Sequence, residues 1–551
     1  MGNKRHCFAV LASIFIAALA AAGCSEAGSD GNAADKLLKE RGAVSVVVQD
    51  RGAVASSEGS YADNRWTRWI RDNGPVEVDF VPVLRSESKK LLSVMFASGS
   101  APDIINETNA PFRNNLYEQG QLLPLDDLLV YMPNYVRLLE EYPELRQAGT
   151  KSDGKLYEIG RVNEAGPLHV LFIRKDWLEA LGLEKPKTTE ELLEVAVAFA
   201  RQDPDRNGID DTYGINMSYH SEGAVNELFG IQQEHSWGLR DGRVVRQWDK
   251  ELVALAFKKE LYDRGAIDPG YISDKDGAKA KKDFLSGKLG IYVNYSMNWF
   301  EFTTRDLVAL KRASPEAAVE VLEYPVSPFG SYTGAIDNPI QMTTVFNADT
   351  KDPVAAARYV DFILEPHVSE LLLKGEEGVH WVRGDNGCPV ITDDLKWRTE
   401  VGYSGAGAYG LFLSRGTEKC NLVAYQFNPA DEMQRQGLEL YLAARELYLD
   451  PAKEYPGLTF GDHVPGLPAP LDEIRTSTLK TITDLYVKAI VSGESYGAEE
   501  AIRDAQDVWE REKGGMIVDY MNKWYEENKA TALLADDLRT FVEKQRRLAG
   551  Q

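Results

Sequence analysis

Between Ser45 and Asn109 the chain alternates two hydrophobic periods, and that alternation limits the folds open to it. Ser45–Asp50 (SVVVQD) is a β-branched run of the kind that forms a buried strand. After a Gly/Ser-rich loop, NRWTRWIRDNG sets Trp66, Trp69 and Ile70 on one helical face, with Gly74 just past the helix end. Val76–Pro82 (VEVDFVP) reads as the next strand, and SKKLLSVMFASGSAPDII as a helix followed by a short strand. Strand, helix, strand, helix, strand is the rhythm of a parallel, doubly wound sheet, so an α/β class is expected.

A length of 551 residues suggests two to four domains or lobes. With 44% hydrophobic and 27% charged residues the chain is globular in composition. A formal charge of −23 argues against nucleic acid, whose phosphates demand Lys/Arg patches, and against an electrostatic hold on an anionic membrane surface. Lys4 and Arg5 precede the apolar run Phe8–Ala22, which has signal-peptide length, so residues 1–23 are expected to be a signal peptide. Ala21-Ala22-Gly23-Cys24 resembles a lipobox, which would make Cys24 a diacylated mature N-terminus, the alternative being a plain secretory cleavage site. Two acyl chains suffice for stable anchoring, and residues 24–39 continue as a Gly/Ser-rich tether. No other segment reaches the roughly 18 uninterrupted apolar residues of a membrane span. Of the four cysteines, Cys7 leaves with the signal and Cys24 takes the lipid. Cys388 and Cys420 remain, in a compartment that permits disulfides, and the sequence leaves their pairing open.

Asp203-Pro-Asp205-Arg-Asn207-Gly208-Ile209-Asp210-Asp211 places Asp203, Asp205 and Asn207 at positions 1, 3 and 5 of an EF-hand-type loop. Gly208 falls at the sharp turn, Ile209 offers its carbonyl at position 7, and Asp211 is at 9. Alternating hard oxygens around a Gly turn suit Ca²⁺. Position 12 is Gly214 instead of the bidentate Glu, leaving the shell two oxygens short, and an Asx-rich turn without metal explains the same residues.

The same region carries a resemblance. IRKDWLEALGLEKPKTTEELLEVAVAF followed by DPDRNGIDDTYG resembles the extracellular solute-binding proteins, family 1, of ABC sugar importers, and more narrowly their Gram-positive lipoprotein branch. FASGSAPDIINETN, YEQGQLLPLDDLL and GKLYEIG resemble first-lobe segments of that family, and LYDRGAIDP and FLSGKLGIYVNYSMNWF second-lobe ones. The resemblance implies a two-lobed periplasmic-binding-protein (Venus-flytrap) fold, each lobe a doubly wound sheet flanked by helices, with a hinge between. The first lobe is expected over 40–160 with 340–460, and the second over 161–339 with 461–551. It also implies a monomer, lipid-anchored on the extracellular face of the membrane, that captures an oligosaccharide, uronate-containing ones included, and delivers it to an ABC permease. Calcium in the Asp203–Asp211 loop would be structural, since the loop belongs to one lobe.

No GxSxG elbow, HExxH or GxxxxGK[ST] loop occurs, and the seven His are scattered, so a non-enzyme is expected. A secreted glycoside hydrolase and a sugar-sensing accessory protein are the alternatives. A sugar site needs aromatic platforms and planar polar groups. Trp299 follows the apolar strand GIYV and is the first candidate, with Asn294, Tyr295 and Asn298 beside it. Trp381 and Trp237 lie in Gly-flanked loops, and Asn106, Glu107, Thr108 and Asn109 follow the strand DII, where strand carboxyl ends open on a crevice. Arg174, after the LFI strand, and Arg383 are the candidate guanidinium partners for an anionic sugar.

Overall fold

The computed structural model describes residues 41–549 apart from 53, 233–236, 296–297, 386, 403–404, 417–418, 460–462 and 530–531. The expected signal peptide, Cys24 and the tether lie outside the described residues. The strands are β1 Ala43–Asp50, β2 Glu77–Leu84, β3 Ile104–Asn106, β4 Glu158–Val162, β5 His169–Arg174, β6 Tyr213–Ile215, β7 Trp237–Arg240, β8 Arg243–Arg246, β9 Leu289–Tyr295, β10 Val319–Val321, β11 Ile340–Phe346, β12 Trp381–Arg383 and β13 Pro389–Ile391.

The first sheet has the order β2-β1-β3-β11-β4. β1 runs parallel to β2, in register from Ala43↔Glu77 to Asp50↔Leu84, and parallel to β3. β1 is flanked on both sides, by β2 and β3, and its Val46, Val47 and Val48 are fully buried. Because side chains alternate along a strand, Val46 and Val48 join the large core on one face while Val47 joins the smaller cluster on the other. The second sheet has the order β10-β5-β9-β6 and is mixed: β5 runs antiparallel to β9, and β6 parallel to it. All of β5 is buried, in a core shared with the helix Thr189–Arg201.

The chain passes from the first sheet to the second between Val162 and His169 and returns between Val321 and Ile340. The two crossings are bonded to each other, with Asn163 N–H donating to Pro339 O (2.9 Å), Asp337 N–H to Gly166 O (2.9 Å) and Leu168 N–H to Ala335 O (2.7 Å). Glu164 ties a later segment to this ribbon by accepting from Val423 N–H (2.9 Å), Arg445 Nη1 (2.7 Å) and the Tyr441 hydroxyl.

The division of the C-terminal half differs from the expected boundaries. The helix Glu432–Tyr448, assigned by sequence to the first lobe, buries Leu440, Tyr441, Ala444 and Tyr448 in the second-sheet core. Its Tyr448 hydroxyl donates to Leu322 O and accepts from Leu171 N–H. Conversely Leu533, Phe541 and Val542, assigned to the second lobe, lie in the first-sheet core. A 3.6-residue period shows which face of a helix is buried but not against which sheet.

Cys388 and Cys420 form a disulfide beside the β12–β13 hairpin, closing a separation of 32 residues. Loop-closure entropy puts its contribution at about 3–4 kcal/mol. A C388A/C420A variant should therefore melt several degrees below the parent in a thermal scan, and reductant should lower only the parent.

Candidate functional site: the crevice between the two sheets

The parallel strands of the first sheet finish on the side where the chain crosses over. β11 starts at the hinge with Ile340, runs antiparallel to β3, and pairs its Thr344 with Asn106 at the end of β3. Residues just past β1, β2 and β3 therefore face the crevice. There Gln49, Arg85, Ser88, Lys89, Glu107 and Thr108 line a cavity of about 460 Å³. Gln49 and Glu107 are only 2% and 3% exposed, yet among the described residues nothing donates to Gln49 Oε1 or Glu107 Oε2. Their other polar atoms are held: Glu107 Oε1 accepts from Asn109 N–H (2.8 Å), and Gln49 Nε2 donates to Asn106 O (3.4 Å). Two buried acceptors without donors, fixed in place and lining a void, are prepared for a ligand that donates.

On the second sheet, Tyr295 ends β9 and stacks on His220 at 4.2 Å, with Tyr219 edge-on to His220 at 3.9 Å. Tyr219 is 51% exposed and holds a positive φ of 56°. Behind this wall, His169 Nδ1 contacts Glu227 Oε1 at 2.7 Å, and Glu227 Oε2 accepts from the Tyr324 hydroxyl (2.8 Å) and Ala335 N–H (3.0 Å). Burial, and then the neighbouring His169, push the His220 imidazole down, so its ring stays neutral at pH 7. Asp337 in the return crossing is solvent-exposed, but the surrounding protein pushes its carboxyl up to about 6, against the opposing pull of His169.

The sequence-derived candidates divide. Glu107, Thr108 and Asn109 line the cavity, Asn109 also capping the helix Ala110–Glu118. Tyr295 belongs to the aromatic wall, and Asn294 beside it is half-buried. Asn106 is locked into the sheet, donating to Val47 O (2.9 Å) and accepting from Thr344 (2.7 Å). Asn298 caps the next helix through Glu301 N–H (3.0 Å). Trp299, expected to be a platform, is 7% exposed and sits edge-on to Tyr441 and Phe172, because the helix it begins folds back over the core. Trp381 is 2% exposed and donates from Nε1 to Gly375 O (2.9 Å), and Trp237 packs against Trp509 in a helical cluster. Arg174 is 1% exposed and forks onto Asp176. Antiparallel pairing brings His169, not Arg174, beside Tyr295, so the carboxyl end of β5 points away from the crevice. Arg383 is at the surface and pairs with Glu377 at 3.3 Å. Gln49, Arg85, Lys89, Tyr219 and His220 were not singled out by sequence. The polar residue closing the apolar run of β1 was the available signal for Gln49.

In the Asp203–Asp211 loop, Asp203 accepts from Asn207 and Gly208 N–H (3.1 Å each) and Asn207 Oδ1 from Ile209 N–H (2.7 Å). Asp203, Arg206 and Gly208 take φ values of 44°, 54° and 77°. Burial and the adjoining Asp203 carboxyl push Asp205 up. Lys288 donates to Asp211 Oδ2 and, with Asn207 close by, holds that carboxyl below its ordinary range. Neighbouring carboxylates are the ligand type a hard dication takes, but Asp211 is engaged by Lys288. Position 12 does not contribute: a Cβ on Gly214 would lie 2.0 Å from Ala196 O. Among the described residues no group of three or more His, Cys, Asp and Glu side chains is drawn together as a metal site.

Two sheets, bonded crossings between them, and a polar cavity in the shared crevice define a hinged ligand-binding protein. The family model for bacterial extracellular solute-binding proteins matches residues 55–368, and the chain belongs to that family. It is 32% identical over 225 residues to the fructooligosaccharide ABC transporter substrate-binding protein FusA of Streptococcus pneumoniae, covering 37% of this chain and 41% of that one. It is 27% identical over 330 residues to the polygalacturonan/rhamnogalacturonan-binding protein YtcQ of Bacillus subtilis, covering 57% and 62%. The chain thus matches less than two thirds of the length of each of these relatives. Both relatives are named as binding proteins. The crystal structure of an extracellular solute-binding protein from Bifidobacterium longum subsp. infantis shares the fold, with a TM-score of 0.69 at 17% identity over 90% of this chain and 99% of that one. A FusA structure described as an EF-hand mutant does so with a TM-score of 0.63 at 19% identity over 89% and 99%.

Proposed function

We propose that the protein is a lipid-anchored, monomeric binding protein on the extracellular face of the membrane, which captures an oligosaccharide between its lobes and hands it to an ABC permease. The observation that carries this reading is the pair of orphaned acceptors, Gln49 Oε1 and Glu107 Oε2, in a cavity at the strand ends. Sugar hydroxyls donate to such oxygens, and the rings of Tyr219, His220 and Tyr295 offer faces to the apolar side of a pyranose. A ligand that touches both walls only when they approach shifts the open–closed population by that difference in affinity, and the permease reads the closed form. Attachment in this reading is through Cys24; among the described residues no helix is long and apolar enough to cross a membrane.

The test is a thermal-shift screen of the full-length chain in mild detergent against neutral and uronate-containing oligosaccharides, with the sugars recovered afterwards. A ligand at about 100 times its Kd stabilises by about 2.7 kcal/mol, a shift of several degrees. A shift with intact sugar supports capture. Cleaved sugar would replace the binding reading by the hydrolase, and no shift with any sugar would end it. In cells, Cys24→Ala should release the protein from the membrane fraction.

The loop's role in this reading is to hold a structural Ca²⁺ through Asp203, Asp205, Asn207, the Ile209 carbonyl and Asp211. Adding Ca²⁺ to EDTA-treated protein should raise the melting temperature, and D205N should abolish the rise. An unchanged temperature would leave the loop an Asx turn.

A further inference from the structure

Three guanidinium groups stand in the crevice without an acidic partner among the described residues. β1 and β2 finish in register at Asp50↔Leu84, so the next residues, Arg51 and Arg85, emerge side by side at adjoining strand ends. Arg85 lines the cavity beside the orphaned oxygens of Gln49 and Glu107. Arg51 donates to Gly407 O (3.1 Å) through one terminal nitrogen. Arg415 lies at the hinge, its backbone N–H donating to Val162 O (2.7 Å) where β4 leaves the first sheet. Among the described residues no carboxylate forms an ion pair with any of the three, although the chain carries 85 acidic residues against 62 Lys and Arg.

The three groups feel one another. Burial and then Arg85 push Arg51 down, and burial and then Arg51 push Arg415 down. Arg415 and Arg51 are solvent-exposed yet surrounded by protein, which is the condition of a group inside a crevice. Like charges held in a row and left unpaired raise the energy of the empty site, and an anion relieves it. The orphaned acceptors next to Arg85 require the opposite kind of group, a hydroxyl donor. A neutral sugar would satisfy the acceptors and leave the guanidiniums bare, and a simple anion would do the reverse.

We infer that the ligand is an acidic oligosaccharide, whose hydroxyls donate to Gln49 and Glu107 while its acid group is held by Arg51, Arg85 and Arg415. This rests on the oligosaccharide reading above and names the class of sugar. Arg174 and Arg383, the guanidiniums indicated by sequence, are already paired with Asp176 and Glu377 and play no part. A planar fork onto a planar carboxylate favours a uronate, while a sulfate ester offers the same charge without that plane.

The test uses the full-length chain in mild detergent and a panel of uronic-acid oligomers, each measured as the free acid and as its neutral methyl ester. Neutral and sulfated oligosaccharides form two further arms. Free acids should bind about 10- to 100-fold more tightly than their esters, with affinity falling as salt rises. Arg415→Gln and Arg85→Gln should each bring acid and ester binding together. They should also leave the unliganded melting temperature unchanged or raised, since each removes a repelling charge, whereas loss of a merely structural arginine would lower it. Tighter binding by the sulfated arm would move the acid group from carboxylate to sulfate. Equal binding of acid and ester, or binding of neutral sugars alone, would overturn the inference and leave the oligosaccharide reading standing. No binding in any arm would remove both.

Discussion

Glu227→Ala should lower the melting temperature by roughly 10 °C and flatten the pH dependence of stability above neutrality. Glu227 is fully buried and serves three partners: His169, the Tyr324 hydroxyl and the Ala335 backbone N–H. These come from β5, the segment after β10 and the return crossing, so one carboxylate joins the second sheet to the hinge. Removing one member of a buried pair strands the other and costs about 3–5 kcal/mol, roughly 2–4 °C for each kcal/mol in a lobe of this size. Burial alone pulls the His169 imidazole down, but the Glu227 charge and hydrogen bond, with the His220 carbonyl, outweigh it and hold the group above its ordinary 6.5. A base whose pKa is higher folded than unfolded contributes fully below about 6.5 and loses that contribution as pH rises through the folded value. The parent should therefore lose stability through the range above 6.5, measured by melting temperature at successive pH values. The variant should be weaker throughout and lack that slope. A variant that kept the slope would show that His169 is not its source.

The largest effect on binding is expected from Glu107→Gln. The substitution keeps the shape, and an amide oxygen can still accept from Asn109 N–H. At the Oε2 position, however, it points an N–H₂ into the cavity, where the native oxygen has no donor among the described residues. A ligand hydroxyl that donated to the carboxylate then meets another donor and loses a charge-assisted bond, about 1.5–3 kcal/mol or 10- to 100-fold in affinity. The melting temperature without ligand should hardly move, because no bond within the protein is lost. Titration calorimetry with whichever sugar the screen identifies gives the affinity. Gln49→Ala should act in the same direction, and an unchanged affinity in both variants would place the ligand elsewhere. Asn106→Ala makes the contrast: its side chain bonds Val47 O and Thr344, so stability should fall.

Much of the crevice was legible because a rule connects sequence to place. Residues after a parallel strand face the ligand side, and this put Glu107, Thr108 and Asn109 in the cavity. The same rule misplaced Arg174, since β5 is antiparallel to its neighbour β9 and its carboxyl end lies at the far side of the sheet. The tryptophans misled for a different reason. Trp299 and Trp237 stand next to polar or Gly-flanked turns, but a large ring gains most from full burial, and the fold found room for both in its cores. The unpaired arginines carried no local signature: Arg51, Arg85 and Arg415 are 34 to 364 positions apart, and only pairing of β1 with β2 and the hinge contact at Val162 assemble them.

The sequence by itself determined the α/β class, the first sheet's parallel start and, through the segments that resemble it, the family. Each of these is written in short-range periodicity or in the spacing of a few neighbouring residues. The tertiary structure alone decided which lobe receives the helix Glu432–Tyr448, which aromatic rings face the crevice, and which cations remain without partners. Those depend on strand direction and on contacts between segments hundreds of residues apart, and a local hydrophobic pattern has no means of encoding them.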